Sequence, residues 1–259
     1  MRDEPHEGDS VAAVETQGEA QRVGAEKPDG PRKHPASFPN RIIEAIDSAL
    51  EKHILTPEVP RRLLDPFLGI GGIAKINWEG EILGVEIEVE WAEQAGEAGV
   101  ETYLGDSRDL PWEDGHFGVI CTSPTYGNRL ADSYLPDVTA AKHRKRRSYT
   151  IYLGKPLTWG NSGAMHWGYE YQYFHEKVWT QCVRVLHSGG YFLLNIKDHN
   201  RKGVRQKVTQ WHVETLQNLG LDVVEKVKVP LRGDQNTATM RKKGIDVVDF
   251  EWVIVLRKP

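Results

Sequence analysis

Apolar residues in this chain fall into short runs broken by glycine, and the runs alternate between two kinds. Ile42, Ile43, Ile46 and Leu50 share one face at helical spacing, with Asn40 placed to cap the helix they predict. RRLLDPF is then compact and continuously apolar, a short buried strand ending at Asp65. GIGGIAKIN predicts a glycine-rich turn opening a helix. EILGVEI (81–87) is a second strand, VEWAEQAGEAG a short helix, VETYLGD (100–106) a third strand and FGVICTS (117–123) a fourth. A long irregular stretch, 129–168, separates these from YQYFHEKVWTQCVRVLHSGG (171–190), a helix closed by glycines. YFLLNIKDH (191–199) is the fifth strand and QKVTQWHVETLQNLG (206–220) an amphipathic helix. LDVVEKVKVP and DFEWVIVLRKP close the chain as two strands joined by a loop, 231–248.

Strands alternating with helices predict an α/β fold, a doubly wound and mostly parallel seven-stranded sheet of the Rossmann-like kind. The last two strands have only a loop between them, so they are expected as an antiparallel hairpin at one edge. Residues 1–35 carry almost no large apolar side chains and are expected as a disordered acidic tail, leaving 36–259 as one domain.

Charge sharpens this division. Residues 1–30 hold eight acidic and three basic groups, so a net charge of −4 for the whole chain leaves +1 on the rest. Only two cysteines occur, Cys121 and Cys182, with no spacing that suggests a disulfide framework or a zinc site. No metal is expected, and the thiols point to a reduced, cytoplasmic compartment. No apolar run approaches the roughly 18–20 residues of a membrane span, so no membrane partner is expected.

Candidate chemistry collects at the strand ends. DPFLGIGGIAK contains Gly69-x-Gly71-x-x-Ala74, a relaxed form of the dinucleotide-binding turn, in which glycines let backbone approach a ligand at a helix start. The same glycines serve in a bare strand-to-helix turn. Three carboxylates add to them: Asp65, Glu86 and Asp106 each stand at the C-terminal end of one of three successive strands. In open α/β sheets that edge binds ligands. Together they suit a nucleoside that also carries an amino-acid-like portion. The fourth strand then runs into TSPTYGNR (122–129), a stiff proline turn displaying a tyrosine and an arginine at the same edge.

DPFLGIGG, GVEIEVEWAE, GDSRDLPW and TSPTYGNR, in that order, resemble the S-adenosylmethionine-dependent methyltransferases that modify exocyclic amines of DNA bases. That family carries a DPFxGxG cofactor loop and a tetrapeptide of the form Asp/Asn/Ser-Pro-Pro-Tyr/Phe. The likeness spans roughly residues 34–200, beginning at HPASFPN. It implies S-adenosyl-L-methionine as cofactor, with Asp65, Phe67, Gly69 and Gly71 at its methionine end, Glu86 on the ribose hydroxyls and Asp106 near the adenine amino group. It implies that Ser123, Pro124 and Tyr126 hold the target base, either cytosine N4 or adenine N6, after its extrusion from the duplex. One residue departs from the pattern: Thr125 stands where the second proline is expected, which predicts a softer turn.

The irregular stretch has no acidic residue between Asp137 and Glu170, and interleaves Arg144, Lys145, Arg146 and Arg147 with Tyr149, Tyr152, Trp159, Trp167 and Tyr169. Cations neutralise phosphates and aromatics stack on bases. With Asn128 and Arg129 just upstream, this insert is the expected nucleic-acid contact. DNA is the expected partner. An RNA enzyme acting on guanine N2, a nicotinamide-dependent oxidoreductase reading the glycine turn at face value, and a non-catalytic nucleic-acid-binding protein are the competing readings. His199 is assigned no catalytic role.

Overall fold

The computed structural model describes residues 38–53, 55–127, 149–201, 203–231, 239, 241–242, 244 and 246–259. The expected acidic tail, and the candidate contacts Asn128, Arg129, Arg144, Lys145, Arg146 and Arg147, lie outside the described residues.

Strand β1 (Arg62–Asp65) pairs in parallel with β2 (Glu81–Glu86) on one side and β4 (Phe117–Thr122) on the other. β3 (Glu101–Leu104) extends the β2 side and β5 (Leu186–Ile196) the β4 side, both parallel. β9 (Phe250–Arg257) then runs antiparallel between β5 and the outermost β8 (Asp222–Pro230). The order β3-β2-β1-β4-β5-β9-β8 is the doubly wound seven-stranded sheet expected, with its antiparallel hairpin at one edge. The winding reverses between β1 and β4, so the segments leaving these strands diverge and open a crevice outside their C-terminal ends. The glycine turn follows β1 and the SPTY segment follows β4.

The central strands are apolar on both faces because both are covered. Leu64, Ile120 and Leu194 pack with Val178, Val185 and Leu216 of helices α4 (Tyr169–Val185) and α5 (Val208–Asn218). Their neighbours Leu63, Val119 and Leu193 turn the other way, onto Ile42 and Ile46 of α1 (Asn40–Lys52). Helix α2 (Val89–Glu97) joins β2 to β3. Helix α3 (Tyr149–Leu153) lies in the second half of the insert.

Four local expectations change. Asn40 is inside α1 rather than capping it; the Pro39 carbonyl instead accepts from Ile42 N and Ile43 N. The helix expected after the glycine turn is a single 3-10 turn, Gly72–Lys75, because the chain must return at once to β2: Asp47 holds Asn77 N at 2.8 Å. Gly189 and Gly190 do not close α4, which ends at Val185; they lie in β5. A Cβ on Gly190 would stand 2.6 Å from the Gly118 carbonyl, so glycine permits the approach of β5 to β4. A further hairpin, β6 (His199–Arg201) with β7 (Val204–Gln206), follows β5. Among the described residues no helix is long and apolar enough to cross a membrane.

Candidate active site

A cavity of about 440 Å³ opens at the crevice and is lined from both sides of the switch point. Of the residues singled out in the sequence, it brings together Phe67, Gly69, Glu86, Asp106, Ser123, Pro124 and Tyr126. Its volume lies in the range of small-molecule sites.

On the β1–β2 side the wall is backbone gathered on one carboxylate. Glu86, 8% exposed, accepts from Gly69 N on one oxygen and from Ile87 N and Glu88 N on the other, each at 2.9 Å. Burial works to raise its carboxyl, with the Glu88 charge adding to the rise, but the three neighbours on its oxygens are all N–H donors, which pair with the charged form. A carboxylate offers about four lone-pair positions, so capacity remains for a hydroxyl donor from the cavity. Glu88, fully buried, latches the returning insert: it takes Thr158 N at 2.7 Å, Thr158 Oγ1 at 3.0 Å and Asn161 Nδ2 at 2.7 Å. Gly160 and Asn161 thereby form part of the cavity wall. Asp106 is gripped by Arg108 through Nε and Nη2, the latter at 2.6 Å. Partial burial works to raise its carboxyl, but Arg108 outweighs it and holds it below the ordinary range.

Asp65 and Gly71 stand behind this wall and do not line the cavity. The Asp65 carboxylate, 1% exposed, turns inward to accept Thr122 Oγ1 at 2.7 Å and Phe67 N at 3.0 Å. It therefore ties the start of the glycine turn to the residue before Ser123. Burial raises it to about 6. Gly71 adopts φ +77°, and a Cβ there would meet Ala95 Cα at 3.0 Å. It admits α2 against the turn, while Gly69 faces the cavity.

On the β4–β5 side the wall is held by side chains from distant elements. Ser123 Oγ lies 3.0 Å from the Tyr126 hydroxyl, which reaches Asn195 Oδ1 and Glu251 Oε2, each at 3.4 Å. Glu251, 5% exposed, also accepts Asn195 Nδ2 at 3.1 Å and Lys197 Nζ at 2.8 Å. Lys197 stands over the Tyr126 ring, 5.4 Å from its centroid. Burial, with the Glu251 charge beside it, pushes the Tyr126 phenol well above its ordinary value.

Thr125 is held from two sides. Its carbonyl accepts the Tyr171 hydroxyl at 2.5 Å, and its Oγ1 lies 3.1 Å from Ser162 Oγ. Trp179 Nε1 donates to His212 Nδ1 at 2.9 Å, and a tryptophan can only donate. A neutral His212 therefore carries its proton on Nε2 and donates it to the Tyr171 oxygen, 2.9 Å away, leaving the Tyr171 proton for Thr125. Burial lowers the His212 pKa well below its usual value, which keeps the ring neutral. The relay Trp179–His212–Tyr171–Thr125 thus has one direction.

Asn195 and Lys197 lie in YFLLNIKDH, read from the sequence only as the fifth strand, and Glu251, Glu88, Tyr171 and His212 were missed. The one signal for Glu251 was a carboxylate set in an otherwise apolar strand, DFEWVIV. His199, in β6, does not line the cavity. Among the described residues no three His, Cys, Asp or Glu side chains are grouped to hold a metal ion.

No family model and no curated protein matches the chain. Among solved structures it resembles the [4+2]-cyclase SpnF, at 14% identity and TM-score 0.50, over 87% of this chain and 84% of that one. It also resembles a putative sarcosine dimethylglycine methyltransferase from Galdieria sulphuraria, at 14% identity and TM-score 0.49, over 85% and 86%. Likeness at this level of identity speaks to the fold alone.

Proposed function

We propose that the chain transfers a methyl group from S-adenosylmethionine to an exocyclic amine of a DNA base, cytosine N4 or adenine N6. One observation carries the reading: a nucleoside-type wall, Gly69 with Glu86 and Asp106, shares one cavity with the Ser123-Pro124-Tyr126 turn. The residues present fit the cofactor. Glu86 has lone pairs left for a ribose diol, Asp106 is held charged where an adenine amino group needs an acceptor, and Gly69 leaves the turn open to close approach.

S-adenosylmethionine, when bound, supplies an electrophilic methyl group on a sulfonium. The chain's task is then to raise and aim a poor nucleophile, because the lone pair of an exocyclic amine is delocalised into its ring. Acceptors for the amine N–H bonds favour a more sp³-like nitrogen. The Pro124 carbonyl is one, made stiff by the fixed φ of proline. Ser123 Oγ is the other. Glu251 can only accept, so the Tyr126 hydroxyl donates toward it and accepts from the Ser123 hydroxyl, leaving the serine lone pairs for the amine, whose surplus proton leaves to solvent after transfer. Rate gain in such a site is mainly positioning. A duplex hides the amine, so the base is extruded to reach the cavity.

Tritium-labelled S-adenosylmethionine, offered with unmethylated duplex DNA or with tRNA, tests this. Label in DNA is expected. Label in tRNA alone favours the guanine N2 alternative. A thermal shift with NAD and none with S-adenosylhomocysteine overturns the reading altogether.

A further inference from the structure

The acceptor side of the cavity ends on a charge pair, Lys197 with Glu251, of which amine activation uses only Glu251. Ile196 pairs with Trp252 in the sheet, and each flanks one member of the pair, so Lys197 and Glu251 are set side by side by strand register. A buried carboxylate needs a countercharge and hydrogen bonds. Glu251 has both, from Lys197, Asn195 and Tyr126. Lys197 is different. Its ammonium has three N–H donors, and among the described residues its only acceptor is Glu251. Two donors are left beside the Tyr126 ring, on the wall of the cavity.

We propose that Lys197, held in place by Glu251, donates a hydrogen bond to a ring carbonyl of the acceptor base and so selects cytosine over adenine. The inference rests on the methyl-transfer reading. Ser123 and Lys197 line the same cavity but are joined through Tyr126 and Glu251 rather than directly, so a base with its amine at Ser123 would turn another edge toward Lys197. Cytosine carries its carbonyl two ring positions from the carbon that bears the amine. Adenine presents a C–H at the equivalent position. An adenine in this pocket would leave the two remaining donors of the ammonium desolvated without an acceptor, and a site built around a polar group rejects a ligand that cannot answer it. Glu251 is a positioning residue here; Lys197 makes the contact.

The test begins with mass spectrometry of nucleosides from plasmid DNA treated with the parent protein and S-adenosylmethionine. N4-methylcytosine is expected. N6-methyladenine overturns the selection by Lys197 while leaving methyl transfer standing. No methylated DNA base at all, with S-adenosylhomocysteine binding intact by calorimetry, overturns the methyl-transfer reading and this inference with it. At the mapped site, replacing cytosine by 2-thiocytosine weakens the carbonyl acceptor and is expected to slow the parent about tenfold. Lys197→Met is expected to lower kcat/KM roughly 100-fold and to handle both bases alike, with S-adenosylhomocysteine affinity unchanged. A Lys197→Met variant that still discriminates between the two bases sinks the assignment. Lys197→Met/Glu251→Gln removes the unpaired buried charge and repeats the test where the single variant folds poorly.

Discussion

The two walls of the cavity are fixed by different means. The β1–β2 wall is contiguous backbone: Gly69, Ile87 and Glu88 point their N–H groups at one carboxylate, Glu86. The β4–β5 wall is a five-residue turn held by side chains from α4, α5, β5 and β9. The first can be broken at one atom pair, and the second only piece by piece. Glu86→Gln should therefore have the largest effect. An amide places an NH₂ against backbone donors and leaves at least one of them buried and unpaired, at about 1–3 kcal/mol each. S-adenosylhomocysteine affinity, measured by calorimetry, should fall roughly 100-fold or more. Unchanged affinity would mean that Glu86 does not shape the ligand wall.

The second wall is broken more gently through its relay. Tyr171→Phe removes the donor to the Thr125 carbonyl and strands the His212 Nε2–H. Turnover should drop by roughly 10- to 30-fold, since a shift in position of the acceptors carries most of the effect. S-adenosylhomocysteine affinity should stay within about twofold, because the relay does not touch the other wall. The Thr125 N–H has no acceptor among the described residues, so Thr125→Pro costs only the Oγ1 contacts with Ser162. In the Tyr171→Phe background that substitution should recover most of the lost rate, and in the parent it should do little. Additive effects in this double-mutant cycle would show that Tyr171 and Thr125 are not coupled.

The same contrast explains what could be read from the chain. The sheet was legible because Leu63-Leu64, Val119-Ile120 and Leu193-Leu194 are buried on both faces, which leaves unbroken apolar runs. The crevice was legible because its motifs are contiguous. Motif matching says which residues lie together and not which way each faces, hence Asp65 and Gly71 were expected in the cavity and lie behind it. The second wall was illegible wherever it depends on long-range pairs. Glu251 meets partners 54 and 56 residues away, and Tyr171 meets Thr125 across 46. The hairpin of β6 and β7 escaped because His199–Gln206 holds a single large apolar residue, Val204, so no alternation betrays a strand.

Between the walls sits His175, fully buried, 5.3 Å from the Phe67 ring on one side and 4.0 Å from Tyr171 on the other. Burial lowers its pKa from 6.5 to about 3, against a hydrogen bond to the Tyr171 carbonyl. Between those values the unfolded chain binds a proton that the folded chain refuses. Its contribution to stability is thus present above about pH 6.5 and is lost as pH falls toward 3. Relative to a His175→Phe variant, the parent should lose about 2 kcal/mol between pH 6.5 and pH 5. Urea denaturation at the two pH values measures this difference. Parallel curves for the two proteins would mean that His175 titrates normally and the space between the walls is wet.

The smallest effect belongs to the rim of the first wall. Asp106 is half-exposed and already paired with Arg108, which holds its carboxyl below the ordinary range. It stays charged at every pH where the protein is handled, so ligand binding should show no titration from this group above about pH 4. Asp106→Asn keeps an acceptor oxygen in place and loses only charge, which solvent screens at a site this open. S-adenosylhomocysteine should bind severalfold more weakly, with turnover at saturating cofactor unchanged. Asp106→Ala removes the acceptor as well and should weaken binding further. If both variants bind as the parent does, the cavity holds its ligand from the Glu86 side alone, and Asp106 serves only to seat Arg108 against the ring of Phe174, 5.2 Å away.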